Sequence, residues 1–175
     1  PIEEIVEDVG YLFQNPDNQL FMGTLEGEIA FGPKRRGIPD DQVEERVSKA
    51  LEMIGLERYR THHPFKLSRG QRQRLAVATV LAARPRLVLL DEPTTGQDQI
   101  SLDSLMELME GLIKTHNATV IMVTHDMDLV ARHATRVLVL NEGQLLLDGT
   151  PEHVFGECTE QLDSVKLRPP CIGEL

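Results

Sequence analysis

Two apolar runs, each closed by polar residues, constrain this chain more than anything else in it. Leu87-Val88-Leu89-Leu90 ends at Asp91-Glu92-Pro93, and Ala118 to Thr124, centred on Val120-Ile121-Met122-Val123, leads into His125-Asp126. Between them Leu102, Leu105, Met106, Leu108, Met109, Leu112 and Ile113 recur at helical spacing. Continuous apolar strands suit a parallel sheet covered on both faces, and strand–helix–strand succession implies a right-handed crossover. The expected fold class is α/β with a mainly parallel sheet.

Upstream, Val9-Gly10-Tyr11-Leu12-Phe13 is a β-prone run ending at Gln14, broken by the turn Asn15-Pro16-Asp17-Asn18. From Asp40, the residues Val43, Val47, Ala50, Leu51 and Ile54 share one helical face, and Gly55 stands just past the end. A further helix opens near Ser68 to Gln71, carries Leu75, Ala76, Thr79, Val80 and Ala83 inward, and stops before Pro85. Downstream, Met127, Val130, Ala131 and Ala134 mark a short helix. Arg136 to Leu140 and Gln144 to Leu147 read as a hairpin through Asn141-Glu142-Gly143. Thr150-Pro151-Glu152 opens a last helix. The expected organisation is 1–14 as the end of one α/β lobe, 15–83 as a mainly helical segment, and 84–175 as the α/β lobe with its hairpin and short helix.

Composition narrows the function classes. The chain has 175 residues, with 18 basic against 28 acidic side chains and a net charge of −10, which disfavours a nucleic-acid-binding surface. No apolar run approaches the ~20 residues of a membrane span, so a membrane role would be peripheral. Cys158 and Cys171 form no disulfide framework and read as reduced thiols. The chain opens at Pro1 and stops at Leu175 without a cap, and is expected to be a piece of something longer. His62-His63 reads as a solvated loop, Lys34-Arg35-Arg36 as plain surface, and Asn117-Ala118-Thr119 as a chance glycosylation match.

Asp91 stands at the mouth of a buried parallel strand, where open α/β sheets bind ligands, and a carboxylate there suits Mg²⁺. Glu92, one residue on, is placed to take a proton from an attacking water. His125 follows the next strand and would reach a terminal phosphate from the same edge. Ser68, with the N–H groups of Arg69-Gly70-Gln71, opens a helix and makes an anion site. Each has an ordinary reading too: acids ending a strand, a solvated histidine, a serine N-cap.

Taken in order, however, Gln14, Ser68-Arg69-Gly70-Gln71, Asp91-Glu92, Asp98 and His125 resemble the ATPase subunit of ATP-binding cassette (ABC) transporters. Gln14 resembles the Q-loop glutamine, Leu67 to Gln71 the signature, and Leu87 to Asp91 Walker B. Glu92 resembles the catalytic base, Thr94-Thr95-Gly96-Gln97-Asp98 the D-loop, and His125 the switch histidine. The stretch Phe13-Gln14-Asn15-Pro16-Asp17-Asn18-Gln19-Leu20-Phe21, followed by Ile29-Ala30-Phe31-Gly32-Pro33, is similar to the cobalt/nickel and energy-coupling-factor (ECF) vitamin importers.

The resemblance implies a P-loop NTPase core, N-terminally incomplete, with an inserted helical subdomain. It implies ATP and Mg²⁺ as ligands, with Gln14, Ser68, Arg69, Gly70, Gln71 and Asp98 at nucleotide, Asp91 and Gln14 at the metal, and Glu92 and His125 catalytic. A second ATP-binding subunit, identical or not, would complete two ATP sites, with Ser68 and Gly70 meeting nucleotide held by the partner. Gln14 would link movement of the helical segment to a transmembrane component, at the cytoplasmic face of the membrane. Three departures stand out: Arg69 where glycine is usual, Gly96-Gln97 in the D-loop, and no G-x-x-x-x-G-K-[ST] loop, since none of Lys34, Lys49, Lys66, Lys114 or Lys166 follows a glycine. Residues 1–175 alone are therefore expected to bind ATP weakly and not to hydrolyse it. Two rivals follow. One is a non-catalytic cassette lending its signature to an active partner. The other is a soluble ABC ATPase acting on DNA or ribosomes, for which the stretch from Gln14 to Ser68 is too short to hold a coiled coil.

Overall fold

The computed structural model describes residues 8–94, 99–168 and 170. It divides into two compact units, Pro1–Val123 and Thr124–Leu175, each described by itself. In the first, β1 (Val9–Leu12), β2 (Leu87–Asp91) and β3 (Thr119–Val123) form a parallel sheet in that order. Three helices stand between β1 and β2: α1 (Leu25–Arg35), α2 (Asp40–Met53) and α3 (Arg69–Ala83). The crossover helix α4 (Gln99–His116) joins β2 to β3.

Leu75 to Ala83 is apolar nearly all round, apart from Thr79, and α3 is accordingly buried on two sides. Leu75, Ala78 and Ala82 join a core with Leu25, Ile29, Val47 and Leu51 of α1 and α2. Ala76, Val77, Val80 and Leu81 join another with Leu12, Val88 and Leu90 of the sheet and Leu105, Met109 and Leu112 of α4. Gly10 permits that second contact. A Cβ there would lie 2.6 Å from Val80 Cγ1, so β1 approaches α3 only because the side chain is missing.

Burial of the strands corrects one expectation. Val88 and Leu90 are 0% and 1% exposed, but Leu87 and Leu89 are half-buried, and on β3 Ile121 and Val123 are 48% and 60% exposed. Helices α3 and α4 fill one face of the sheet, and the pleat sends alternate residues to the other. Helix α1 shows no plain sequence signal, because Gly27, Gly32 and Pro33 all depress helix propensity. It forms because Leu25 and Ile29 are fully buried, each worth about 1.5–3 kcal/mol, and because Thr24 caps its start.

Arg36 is not plain surface either. It donates to the Ala83 carbonyl, and to that of Arg84 at 3.4 Å.

The second unit contains α5 (Met127–His133), a hairpin of β4 (Val137–Asn141) and β5 (Gln144–Gly149), α6 (Pro151–Glu157) and α7 (Thr159–Ser164). Glu142 and Gly143, both at positive φ, make the tight turn whose twist matches the strands. Val137, Val139, Val154, Phe155 and Leu162 form its core. Cys158 is a buried free thiol, and Cys171 lies outside the described residues.

Candidate functional site

Parallel pairing decides where the chemistry-bearing residues fall. Leu12 lies beside Leu90, and Asp91 beside Val123, so β1 and β2 run out at one edge, the carboxyl end of the sheet. Asp91 is the last residue of β2, Glu92 the next, and Gln14 follows β1 by two positions. The structure thus brings these three to a common edge. The Tyr11 hydroxyl donates to Asp91 Oδ2 at 2.9 Å. That bond, with desolvation and the carboxylate's charge behind it, pushes Tyr11 ionisation above its usual range.

At Glu92 the chain leaves the strand with φ at +47°, in the left-handed region. This costs a non-glycine residue about 1–2 kcal/mol. It is held because the Glu92 N–H donates to the Val123 carbonyl at 2.9 Å and the ring of buried Pro93 fixes the φ that follows. Such conformations persist where the surroundings over-determine them, as at functional sites. Gln14 is exposed.

Ser68 caps α3 reciprocally. Its hydroxyl accepts from the Gln71 N–H at 3.3 Å, while Gln71 Oε1 accepts from the Ser68 N–H at 2.9 Å. Such a cap is worth about 1 kcal/mol. Arg69 and Gly70 are exposed in the first turn, and a Cβ on Gly70 would meet nothing within 4 Å. This end of the helix therefore offers room beside its N–H groups.

Asp98, with residues 95–97, lies outside the described residues. His125 belongs to the second unit, where it is exposed and precedes Asp126, whose carboxylate caps α5 by accepting from the Leu129 N–H at 3.0 Å. Among the described residues no group of three or more His, Cys, Asp or Glu side chains gathers to hold a metal by itself. The donors at the sheet edge are the oxygens of Asp91 and of the Gln14 amide. That set fits Mg²⁺, which takes one or two protein oxygens and completes its shell with water and phosphate.

Comparison with known proteins supplies the family. The family model described as ABC transporter matches residues 2–95. The chain belongs to the ABC transporter family. A protein of Methanosarcina mazei, provisionally named an ABC transporter ATP-binding protein, is 48% identical over 98% of this chain and 29% of its own length. The ECF transporter ATP-binding protein EcfA2 of Clostridium tetani is 43% identical over 99% of this chain and 61% of its own. Among solved structures, cbiO1 of Clostridium perfringens, titled part of the ABC transporter complex cbiONQ, superposes with a TM-score of 0.79 at 37% identity. That superposition covers 95% of this chain and 66% of cbiO1. The chain thus spans about a third to two thirds of the relatives it matches.

The sequence singles out Gln14, Ser68, Asp91 and Glu92 directly as candidates. It does not pick out Tyr11, which touches Asp91, nor Asp17, Gln19 and Arg72, which join the turn after Gln14 to α3. A parallel register would have pointed to the first pair, since Tyr11 and Asp91 approach the same sheet edge. Asp17 and Gln19 lie in the Phe13 to Phe21 stretch, but no local pattern joins them to α3.

Proposed function

We propose that this chain is part of an ATP-hydrolysing ABC subunit that powers an ECF-type importer of metal ions or vitamins. The observation that carries the reading is the shared edge of Asp91, Glu92 and Gln14 at the carboxyl end of a parallel sheet, in a chain whose relatives are named ECF transporter ATP-binding proteins. Glu92 accepts the proton of the attacking water, and its pinned backbone holds the carboxylate at one place. His125 donates to the terminal phosphate and keeps the nucleophile in line. Asp91 and Gln14 would hold Mg²⁺, with Tyr11 steadying the Asp91 carboxylate. When bound, the ion offsets charge on the phosphate oxygens.

Ser68, Gly70 and Gln71 meet the nucleotide held by a second ATP-binding subunit, and Asp98 belongs to the same interface. The exposed Phe21 and Phe31 rings pack edge to face, 4.9 Å apart, beside a shallow groove lined by Met22, Ala30 and Lys34. This surface suits a transmembrane component. No helix among the described residues is long and apolar enough to cross a membrane. The subunit attaches peripherally, at the cytoplasmic face of the membrane.

One observation favours a second reading. Arg69 stands exposed in the signature turn, so a cassette that assembles with an active partner without turning over is the alternative. The test separates them. In the full-length protein, Glu92→Gln should slow hydrolysis by at least ~10²-fold and leave ATP binding intact, the scale for losing a general base. Undiminished hydrolysis would remove Glu92 from this role, and a parent protein with no hydrolysis of its own would favour the silent cassette.

A further inference from the structure

The turn that follows Gln14 is bonded to α3 more firmly than to the strand it leaves. Arg72, on the second turn of α3, donates from Nε to Asp17 Oδ1 at 2.6 Å and from Nη2 to Asp17 Oδ2 at 3.4 Å. Its Nη1 donates to the Leu67 carbonyl at 2.7 Å, the peptide that leads into Ser68. The same guanidinium lies over the Phe65 ring, and the Arg72 side chain is only 18% exposed. Gln19 supplies a second tie, its Nε2 donating to the Ala76 carbonyl at 2.9 Å and to Thr79 Oγ1 at 2.8 Å. Beneath both, Leu20 is buried in the core that holds Leu75 and Ala78. Toward β1 the Phe13 N–H donates to Gln19 Oε1, and at 3.4 Å that bond is long.

We propose that residues 15–20 and the start of α3 form one rigid body, with Asp17, Gln19 and Arg72 as the positioning residues that set where Ser68 and Gly70 stand. One guanidinium holds Asp17 on one side and the Leu67 peptide on the other, so the placement of the turn and that of Ser68 are tied through Arg72. This deepens the reading above and rests on it, since only in an ABC dimer does the placement of Ser68 matter to nucleotide. A salt bridge that merely decorated the surface would carry no such consequence.

The test uses the full-length subunit with its dimer partner, and two measurements. A fluorescent ATP analogue reports nucleotide binding by the single subunit. Sedimentation with a saturating non-hydrolysable ATP analogue reports dimer closure. Asp17→Arg and Arg72→Asp, each alone, should weaken closure by ~10-fold or more, on the scale of coupling between charged partners in contact. Both should leave analogue binding within about twofold. The double swap, Asp17→Arg with Arg72→Asp, should restore closure to within about threefold of the parent, as expected of a pairwise interaction. Where a single charge reversal unfolds the protein, Asp17→Asn keeps the shape without the charge and should weaken closure about threefold. Singles that close like the parent, or a swap no better than either single, would overturn the proposal. A parent that binds the analogue and never dimerises would instead remove the ABC-dimer reading itself.

Discussion

The two ends of α3 are finished in opposite ways. At the C-terminal end the carbonyls are consumed by the protein's own side chains. Arg46 of α2 donates to Ala82 at 3.0 Å, Arg36 just after α1 donates to Ala83, and Arg84 closes the helix in the left-handed conformation. Burial, then the nearby positive charges of Arg84 and Arg36, hold the Arg46 guanidinium below its usual range. At the N-terminal end Ser68 and Gln71 cap each other's N–H groups, Arg69 and Gly70 face solvent, and Arg72 bonds Asp17 and the Leu67 carbonyl, both outside the helix. One end is spent on holding three helices together. The other is left open, and the difference is what a helix needs if one terminus is scaffold and the other meets a ligand supplied from outside.

Four measurements on the full-length protein break or sharpen that contrast. Leu75, wholly buried near the middle of α3, belongs to neither end, so Leu75→Ala should cost about 2–5 kcal/mol in urea unfolding and impair dimer closure along with stability. Arg46→Met keeps the aliphatic stem and drops the carbonyl bond. A loss of about 1.5–3 kcal/mol is expected with closure unchanged, and a closure defect as large as that of Asp17→Arg would erase the distinction. Ser68→Ala should cost less, about 1 kcal/mol, yet weaken closure clearly, because the hydroxyl stands at the open end. Equal closure in Ser68→Ala and Arg46→Met would show both ends to be scaffold.

The smallest effect is acid loosening of the helices that brace the closed end. Arg60 bonds Glu26 of α1 at 2.7 Å and Glu44 of α2, and chiefly through that bond holds the Glu44 carboxyl below its ordinary 4.5. A lowered carboxylate contributes stability that is present above pH 4.5 and is lost as pH falls through the folded value. Burial pushes the neighbouring Glu28 the other way, so its contribution grows as pH falls toward 4.5 from above. Glu44 therefore contributes to the acid limb below 4.5, together with Glu45, Asp148 and Glu152, which are also held low, whereas Glu28 does not, and Glu44→Gln should lessen that limb in a pH series of thermal midpoints. An unchanged limb would show that Arg60 does not brace the layer.

The elements legible from sequence are those with long, clean periods. Strand β2, the stripe of α4 and the apolar face of α2 follow from residues within one window. So does the cap at Ser68, and the shared edge of Asp91 and Glu92 follows from their place at the end of an apolar run. What stays hidden depends on partners distant in the chain. Asp17 and Arg72 are 55 positions apart, and nothing near either residue announces the other. Arg36 and Arg46 look like solvated charge until α3 ends beside them. Helix α1 defies its own glycines and proline because tertiary burial outweighs propensity. The strands misled in the other direction, since an apolar run does not say whether one face or both will be covered.

The backbone at Glu92 has a consequence for anyone who randomises this position. Glycine is what the left-handed conformation prefers there, while a carboxylate is what the proposed chemistry requires. A library sorted for soluble yield should therefore enrich Glu92→Gly, and the better-behaved clones it returns would be silent engines.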